Sequence, residues 1–137
     1  MDFTILNWNV RGLNNLAKRR AVQLFVAGLN YNIVCLQETK ICDMTRSIVV
    51  EALGPRFGEH FIALPAVGSR GGILIVCADD HELTAEPLVV GLHSFSGTIR
   101  SKADGQRWSI TRVYGPQAEA DKLAFIDEIK SIKQHML

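Results

Sequence analysis

The sequence has little net charge and no apolar run long enough to cross a membrane. Its 15 lysines and arginines nearly balance its 14 aspartates and glutamates, so overall charge indicates neither nucleic acid nor an acidic partner. Any contact with nucleic acid must come from local placement of basic groups. The N-terminus lacks the basic and apolar regions of a signal peptide. We therefore expect no signal peptide and no membrane anchor, and a location inside the cell, the nucleus included.

Cysteine is also scarce, and the three cysteines match neither a disulfide framework nor a metal site. Their number is odd, their spacing is not that of metal ligands, and Cys35 and Cys77 lie inside apolar runs, which predicts reduced core thiols. The four histidines are scattered, and each is interpreted as a surface or loop residue. Among the 137 residues 47% are hydrophobic, enough for one domain with a packed core.

Two polar side chains follow the first two predicted strands. Residues 3–9 form a short β-prone run that ends at Asn9, and residues 33–36 form a continuous apolar run that is soon followed by Glu38. Between them, apolar residues at three- and four-residue spacing predict a one-sided helix over residues 16–29. The predicted apolar face comprises Leu16, Ala17, Ala21, Leu24, Phe25 and Gly28.

A strand, helix and strand of these lengths nearly always form two parallel strands of one sheet with a right-handed connection. Asn9 and Glu38 therefore leave the sheet at the same edge. If the strands are neighbours, they are about 4.8 Å apart and their final side chains can converge on one ion. This expectation depends on spacing alone.

The rest of the chain predicts one more helix, then strands, then a closing helix. Residues 45–53 form the second helix, and residues 79–82 are interpreted as a loop. Residues 119–137 form the closing helix, with one apolar face. An antiparallel meander with its clearest turn at Asp104-Gly105 is predicted for five β-prone runs: 60–64, 72–78, 83–91, 94–101 and 107–114.

Each candidate residue also has a purely structural interpretation. A strand-end carboxylate such as Glu38 is usually solvated, and an asparagine after a strand, such as Asn9, commonly forms an Asx turn. Trp8 alternates with Leu6 and is interpreted as a core residue. The basic residues 18–20 are interpreted as a solvated helix surface, with DNA phosphate contact as the alternative.

Four segments resemble a known family in their order and spacing. They are Trp8-Asn9-Val10-Arg11-Gly12, Leu36-Gln37-Glu38-Thr39-Lys40, Arg70-Gly71-Gly72-Ile73 and Val113-Tyr114-Gly115-Pro116. They resemble the endonuclease/exonuclease/phosphatase superfamily, which includes deoxyribonuclease I and the apurinic endonucleases. Arg11 and the segment 114–117 are most similar to the endonuclease of plant non-LTR retrotransposons. The resemblance extends over nearly the whole chain.

The resemblance implies an α+β fold, the N-terminal half of a four-layer α/β/β/α sandwich of the deoxyribonuclease I type. It also implies phosphodiester hydrolysis of DNA assisted by Mg²⁺ or Mn²⁺. By motif, Glu38 is the metal carboxylate, Asn9 orients the metal or the phosphate, and Tyr114 lies beside the scissile phosphate. Arg11 and Lys40 are expected phosphate contacts, with support of Glu38 as the alternative for Lys40. Mg²⁺ usually takes only one or two protein carboxylates and keeps several waters, which suits this residue set.

Two motifs of the family's second half do not occur in the 137 residues. These are Gly-Asp-x-Asn, which helps to position the attacking water, and a terminal Ser-Asp-His, which carries the general base or its partner. Residues 1–137 are therefore expected to be an incomplete domain without its C-terminal half, and inactive as an isolated chain. The alternatives are a non-catalytic fragment that binds DNA or a protein partner covering its exposed sheet, and a relic without function.

Overall fold

Two helices and two β-sheets make up the part of the chain that the structure describes. The computed structural model describes residues 4–67, 71–85 and 94–113. The helices are α1 (Leu16–Ala27) and α2 (Arg46–Leu53). In spatial order, the first sheet consists of β1 (Ile5–Asn9), β2 (Ile33–Gln37), β4 (Ile73–Cys77) and β3 (His60–Leu64). The second consists of β5 (His81–Ala85), β6 (Ser94–Ser101) and β7 (Arg107–Val113). The predicted α+β class is confirmed.

The predicted strand–helix–strand unit is present. β1 pairs with β2 in parallel, with Ile5 opposite Ile33 and Asn9 opposite Gln37. The connecting helix begins after Asn15, whose side-chain oxygen accepts a hydrogen bond from the Lys18 N–H at 2.8 Å and so caps the first turn. The two strands are therefore parallel and adjacent, as the spacing of the sequence predicts.

The elements stack as a helical layer and two sheets, with one core on each side of the first sheet. Successive residues of β2 point to opposite faces, and the strand is buried on both. Val34 and Leu36 pack in a core with residues of α1 and α2. Ile33 and Cys35 pack in the other core with Leu83 of β5, Ile99 of β6 and further residues of the first sheet. β2 is thus held between two apolar layers.

The predicted five-strand meander is wrong for its first two strands. β3 and β4 join the first sheet, where β4 lies between β2 and β3 and is antiparallel to both. All five residues of β4 are buried, which suits a central strand covered on both faces. β5, β6 and β7 do form an antiparallel meander, with a turn at Asp104-Gly105 where Gly105 has φ +73°.

The predicted apolar face of α1 is also wrong. Val22 and Val26, one helical turn apart, are the buried residues of this helix, whereas Leu24 is 81% exposed and Phe25 53% exposed. The reason is that α1 packs against α2, so that Val22 and Val26 share a core with residues of α2 and of the first sheet. Arg19 takes part in that contact instead of being solvated, because its guanidinium pairs with Glu51 of α2 at 3.0 Å.

His81 differs from its interpretation as a surface or loop residue. It is the first residue of β5 and is 5% exposed. Its Nδ1 lies 2.8 Å from the Asp80 carboxylate. Burial acts to raise the pKa of Asp80, but the hydrogen bond and charge of His81 outweigh it and the pKa is lowered. The Asp79-Asp80-His81 segment is therefore a turn that leads into a strand.

The expectations for Cys35, Cys77 and the second helix are confirmed. Cys35 and Cys77 are buried thiols that form no disulfide, and burial raises the pKa of Cys77 to about 12. α2 begins after Thr45, which caps it, and ends before Gly54. No helix within the described ranges is long and apolar enough to span a membrane. The predicted helix over residues 119–137 lies outside the described residues.

The burial of α1 predicts which substitutions destabilise the fold. Val22→Ala should lower the free energy of unfolding by about 2 kcal/mol, because it removes buried methyl groups and leaves a cavity. Leu24→Ala should change it by less than about 0.5 kcal/mol, since that side chain is exposed. Urea denaturation of the two variants measures the difference. A larger loss for Leu24→Ala would mean that the exposed face is in fact packed.

Candidate active site at the ends of the first two strands

Asn9 and Glu38 leave the first sheet at the same edge. Asn9 is the last residue of β1 and lies opposite Gln37, the last residue of β2, so Glu38 is the next residue beyond the pair. Adjacent strands are about 4.8 Å apart, which puts both positions within reach of a single ion. Both side chains are exposed at this edge. The predicted juxtaposition of the two positions is present, and their chemical roles stay predictions.

Hydrogen bonds hold the loop that carries Glu38 on both of its sides. The Gly12 N–H donates to the Glu38 carbonyl at 2.7 Å, and the Leu13 N–H donates to the Thr39 carbonyl at 2.8 Å. On the other side, the Thr39 N–H donates to the Gly72 carbonyl at 3.2 Å and the Lys40 N–H to the Gly71 carbonyl at 2.6 Å. The loop 38–40 is thus fixed between the segment after β1 and the segment before β4.

Three non-glycine residues at this edge have left-handed backbone conformations. Arg11 and Glu38 have φ +54° and Lys40 has φ +59°, and they are the non-glycine residues with positive φ among those the structure describes. Such a conformation costs of order 1 kcal/mol or more for each residue unless surrounding contacts hold it. Strained residues of this kind cluster at functional sites, so their concentration here supports a functional hypothesis for this edge.

The side chain of Asn9 forms the predicted Asx turn. Its Oδ1 accepts a hydrogen bond from the Arg11 N–H at 3.1 Å. An amide oxygen has two lone pairs, so the Asx turn leaves one acceptor position for a ligand. The turn also restricts the direction of the amide group. The structural and the functional interpretations of Asn9 are therefore compatible.

Arg11 and Lys40 are basic residues of the two loops at this edge. Both are exposed, and the Lys40 Cδ would lie 3.6 Å from a Cβ atom added at Gly12, so the lysine side chain passes close to the loop after β1. The ion pairs recorded among the described residues include neither Glu38 nor Lys40. The alternative that Lys40 supports Glu38 through a salt bridge thus finds no contact here.

Of the remaining predicted residues, Tyr114 lies outside the described residues. Trp8 is partly buried, packs against the helical core and has its ring centroid 4.8 Å from that of Phe25, in line with the core interpretation. The sequence attached no specific role to Thr39, which lies in the loop that carries Glu38, or to Gly71 and Gly72, which border that loop. The glycine pair in the Arg70–Ile73 segment is the sequence signal that could have indicated their role.

The residues at this edge fit part of a Mg²⁺ shell. A carboxylate and an amide oxygen are hard donors of the kind that Mg²⁺ and Mn²⁺ accept. Residues 4–67, 71–85 and 94–113 contain no group of three histidine, cysteine, aspartate or glutamate side chains that could hold a metal. Glu38 and Asn9 could therefore supply only part of a shell, and water and substrate oxygens would have to supply the rest.

Comparison with known proteins identifies the fold. No protein-family model matches the chain, and no curated protein matches it. A solved structure does match: the endonuclease domain of TRAS1, a telomere-specific non-LTR retrotransposon, with a TM-score of 0.65 and 14% sequence identity. The match covers 98% of this chain and 55% of the TRAS1 chain. The chain thus shares the fold of that endonuclease domain and spans about half of its length.

The left-handed conformation of Glu38 predicts that glycine at this position stabilises the fold. Glu38→Gly should raise the free energy of unfolding by about 1 kcal/mol, because glycine adopts positive φ without strain. The matched control is Gln37→Gly, one residue earlier in β2, which should lower it by about 1 kcal/mol. Urea denaturation measures both changes. Equal destabilisation by the two substitutions would show that Glu38 is not strained.

Proposed function

We propose that this chain is part of a divalent-metal-dependent DNA endonuclease domain of the retrotransposon type, and that residues 1–137 form an incomplete domain. The proposal rests on the positions of Asn9 and Glu38, which follow two adjacent strands at one edge of the first sheet. The fold is shared with a retrotransposon endonuclease domain. The strained backbone at the same edge supports a functional role for it.

Each residue of the edge has a role in this proposal. Glu38 binds Mg²⁺ or Mn²⁺ through its carboxylate, and the Asn9 amide oxygen orients the metal or the phosphate. Arg11 and Lys40 donate charge-assisted hydrogen bonds to phosphate oxygens. Tyr114 lies beside the scissile phosphate. When bound, the metal ion stabilises the charge that develops on the phosphate during hydrolysis.

Charge supports a local contact with DNA. The whole chain has a net charge of only +1, so long-range attraction to DNA is weak. Arg11 and Lys40 are nevertheless exposed basic residues in the two loops at this edge, and in this proposal their charged groups contact the phosphate. We propose DNA as the substrate, in place of other phosphoesters, because the motifs are most similar to those of retrotransposon endonucleases.

The isolated chain lacks groups that the reaction needs. Gly-Asp-x-Asn and Ser-Asp-His do not occur in the 137 residues, and the chain spans 55% of the TRAS1 domain. A missing general base typically lowers the rate by a factor of about 10² to 10⁴. Loss of the groups that position the water lowers the rate further. We infer that the remaining residues bind the metal weakly and do not complete the reaction.

Metal binding by the chain tests the role of Glu38 without relying on activity. Titration with Mn²⁺ should broaden the NMR signals of Asn9 and Glu38 first, with a dissociation constant of about 1 mM, as expected for one carboxylate and water. Glu38→Gln should weaken this binding at least about tenfold, because it removes the only charged ligand. Asp104→Asn is a matched control in the turn between β6 and β7: it removes one carboxylate and keeps an oxygen for the hydrogen bond from the Gln106 N–H. Broadening centred elsewhere, or unchanged in Glu38→Gln, would contradict the proposed metal site.

Nicking of supercoiled plasmid tests the incompleteness of the domain. With Mg²⁺, the purified chain should relax no more plasmid than a buffer control, because the second half of the site is missing. Gel electrophoresis of the plasmid over several hours provides the measurement. If the chain nicks the plasmid and Glu38→Ala abolishes that nicking, the proposal that residues 1–137 are inactive alone is wrong.

A further inference from the structure

A side chain at Gly71 would crowd Glu38. A Cβ atom added at Gly71 would lie 3.1 Å from both the Cα and the Cγ of Glu38, and 3.4 Å from its Cβ. One of these atoms is backbone, so a side-chain rotation of Glu38 cannot relieve the contact. The 2.6 Å hydrogen bond from the Lys40 N–H to the Gly71 carbonyl holds the two segments at this distance.

The backbone conformation of Gly71 does not itself require glycine. Its φ lies outside the left-handed region, unlike that of Gly72, which is +87°. An L-residue could therefore adopt the conformation of Gly71 if Glu38 were not adjacent. Close contact with Glu38, and not a positive φ, is therefore what disfavours a larger residue at this position.

The neighbouring glycine, Gly72, packs against the same side of the loop. A Cβ atom added at Gly72 would lie 2.5 Å from the Thr39 Oγ1 and 3.3 Å from the Ala66 N. Thr39 is 1% exposed, and its N–H donates to the Gly72 carbonyl. Because Thr39 is buried against Gly72, the loop cannot shift toward or away from β4 without losing packing and a hydrogen bond.

We propose that Gly71 is a positioning residue for the Glu38 carboxylate. Because Gly71 has no side chain, Glu38 can lie directly against its backbone, and this contact sets the direction of the carboxylate. The inference rests on the proposed function of Glu38 as the metal carboxylate. Within residues 4–67, 71–85 and 94–113 no ion pair includes Glu38, whereas its Cα and Cγ both face Gly71 at close range. The packing of Thr39 on Gly72 keeps the loop close enough to the segment before β4 for this contact to form.

Gly71→Ala tests this role, and Gly28→Ala is the matched control. Gly28 has φ −82°, and a Cβ atom added there meets nothing within 4 Å. Gly71→Ala should shift the backbone NMR signals of Glu38 and Lys40, lower the urea midpoint by roughly 1 M, and weaken Mn²⁺ binding by the folded protein at least about tenfold. Gly28→Ala should leave the Glu38 signals and the Mn²⁺ affinity unchanged.

The readouts separate a failure of this inference from a failure of the proposed function. If the unsubstituted chain does not bind Mn²⁺, the proposed metal site is wrong, and the shift of the Glu38 signals in Gly71→Ala alone decides whether Gly71 directs this residue. A folded Gly71→Ala protein with unshifted Glu38 signals would overturn the inference. So would a fall in stability with unchanged Mn²⁺ affinity where the unsubstituted chain binds Mn²⁺, because that result means ordinary packing.

A second variant keeps the test decisive if Gly71→Ala does not fold. In the double variant Gly71→Ala with Glu38→Gly, the Cβ and Cγ atoms of residue 38 are absent and only the contact with its Cα remains, which the wider backbone freedom of glycine can relax, so folding and part of the lost urea midpoint should return. Gly28→Ala combined with Glu38→Gly should show no such coupling beyond the sum of the single changes. Failure of Glu38→Gly to rescue Gly71→Ala would contradict direct contact as the reason for glycine at position 71.

Discussion

The parallel pairing of β1 with β2 is the constraint on which the candidate site depends. It sets Asn9 opposite Gln37, so that Glu38 follows at the same edge of the sheet. Packing supports the register of that pairing, because a shift of β2 by one residue would move Val34 and Leu36 into the core between the sheets and Ile33 and Cys35 into the core under the helices. Two separate cores thus hold one pair of strand ends in place.

The site uses the rigidity of the sheet to hold a strained loop. Residues 38–40 leave β2 but keep ladder-like hydrogen bonds to the segments on both sides, so the energy of two left-handed residues is offset by bonds that a free loop would lack. Gly71 and Gly72 allow the backbone of the segment before β4 to approach closely. The carboxylate of Glu38 is exposed, while the backbone that carries it is tied down.

Local patterns predicted the elements of this fold better than their assembly. The strands, the two helices and the shared edge of Asn9 and Glu38 follow from residue spacing and from capping by Asn15 and Thr45. The sheet to which β3 and β4 belong does not, since a short apolar strand pattern is the same in either sheet. The buried face of α1 depends on contact with α2, and the contact of Gly71 with Glu38 joins residues far apart in sequence. The role of Tyr114 stays a prediction.

The left-handed conformation of Glu38 sets folding stability and the site against each other. Among diverging copies of this sequence, mutation constrained only by the need to fold would favour glycine at positions 11, 38 and 40, because glycine relieves the strain there. Copies that keep arginine, glutamate and lysine at these positions would therefore indicate selection for the function of the site and not only for folding. The residues with positive φ in a single structure thus provide a criterion that separates a lineage of copies that has lost its function from one that keeps it.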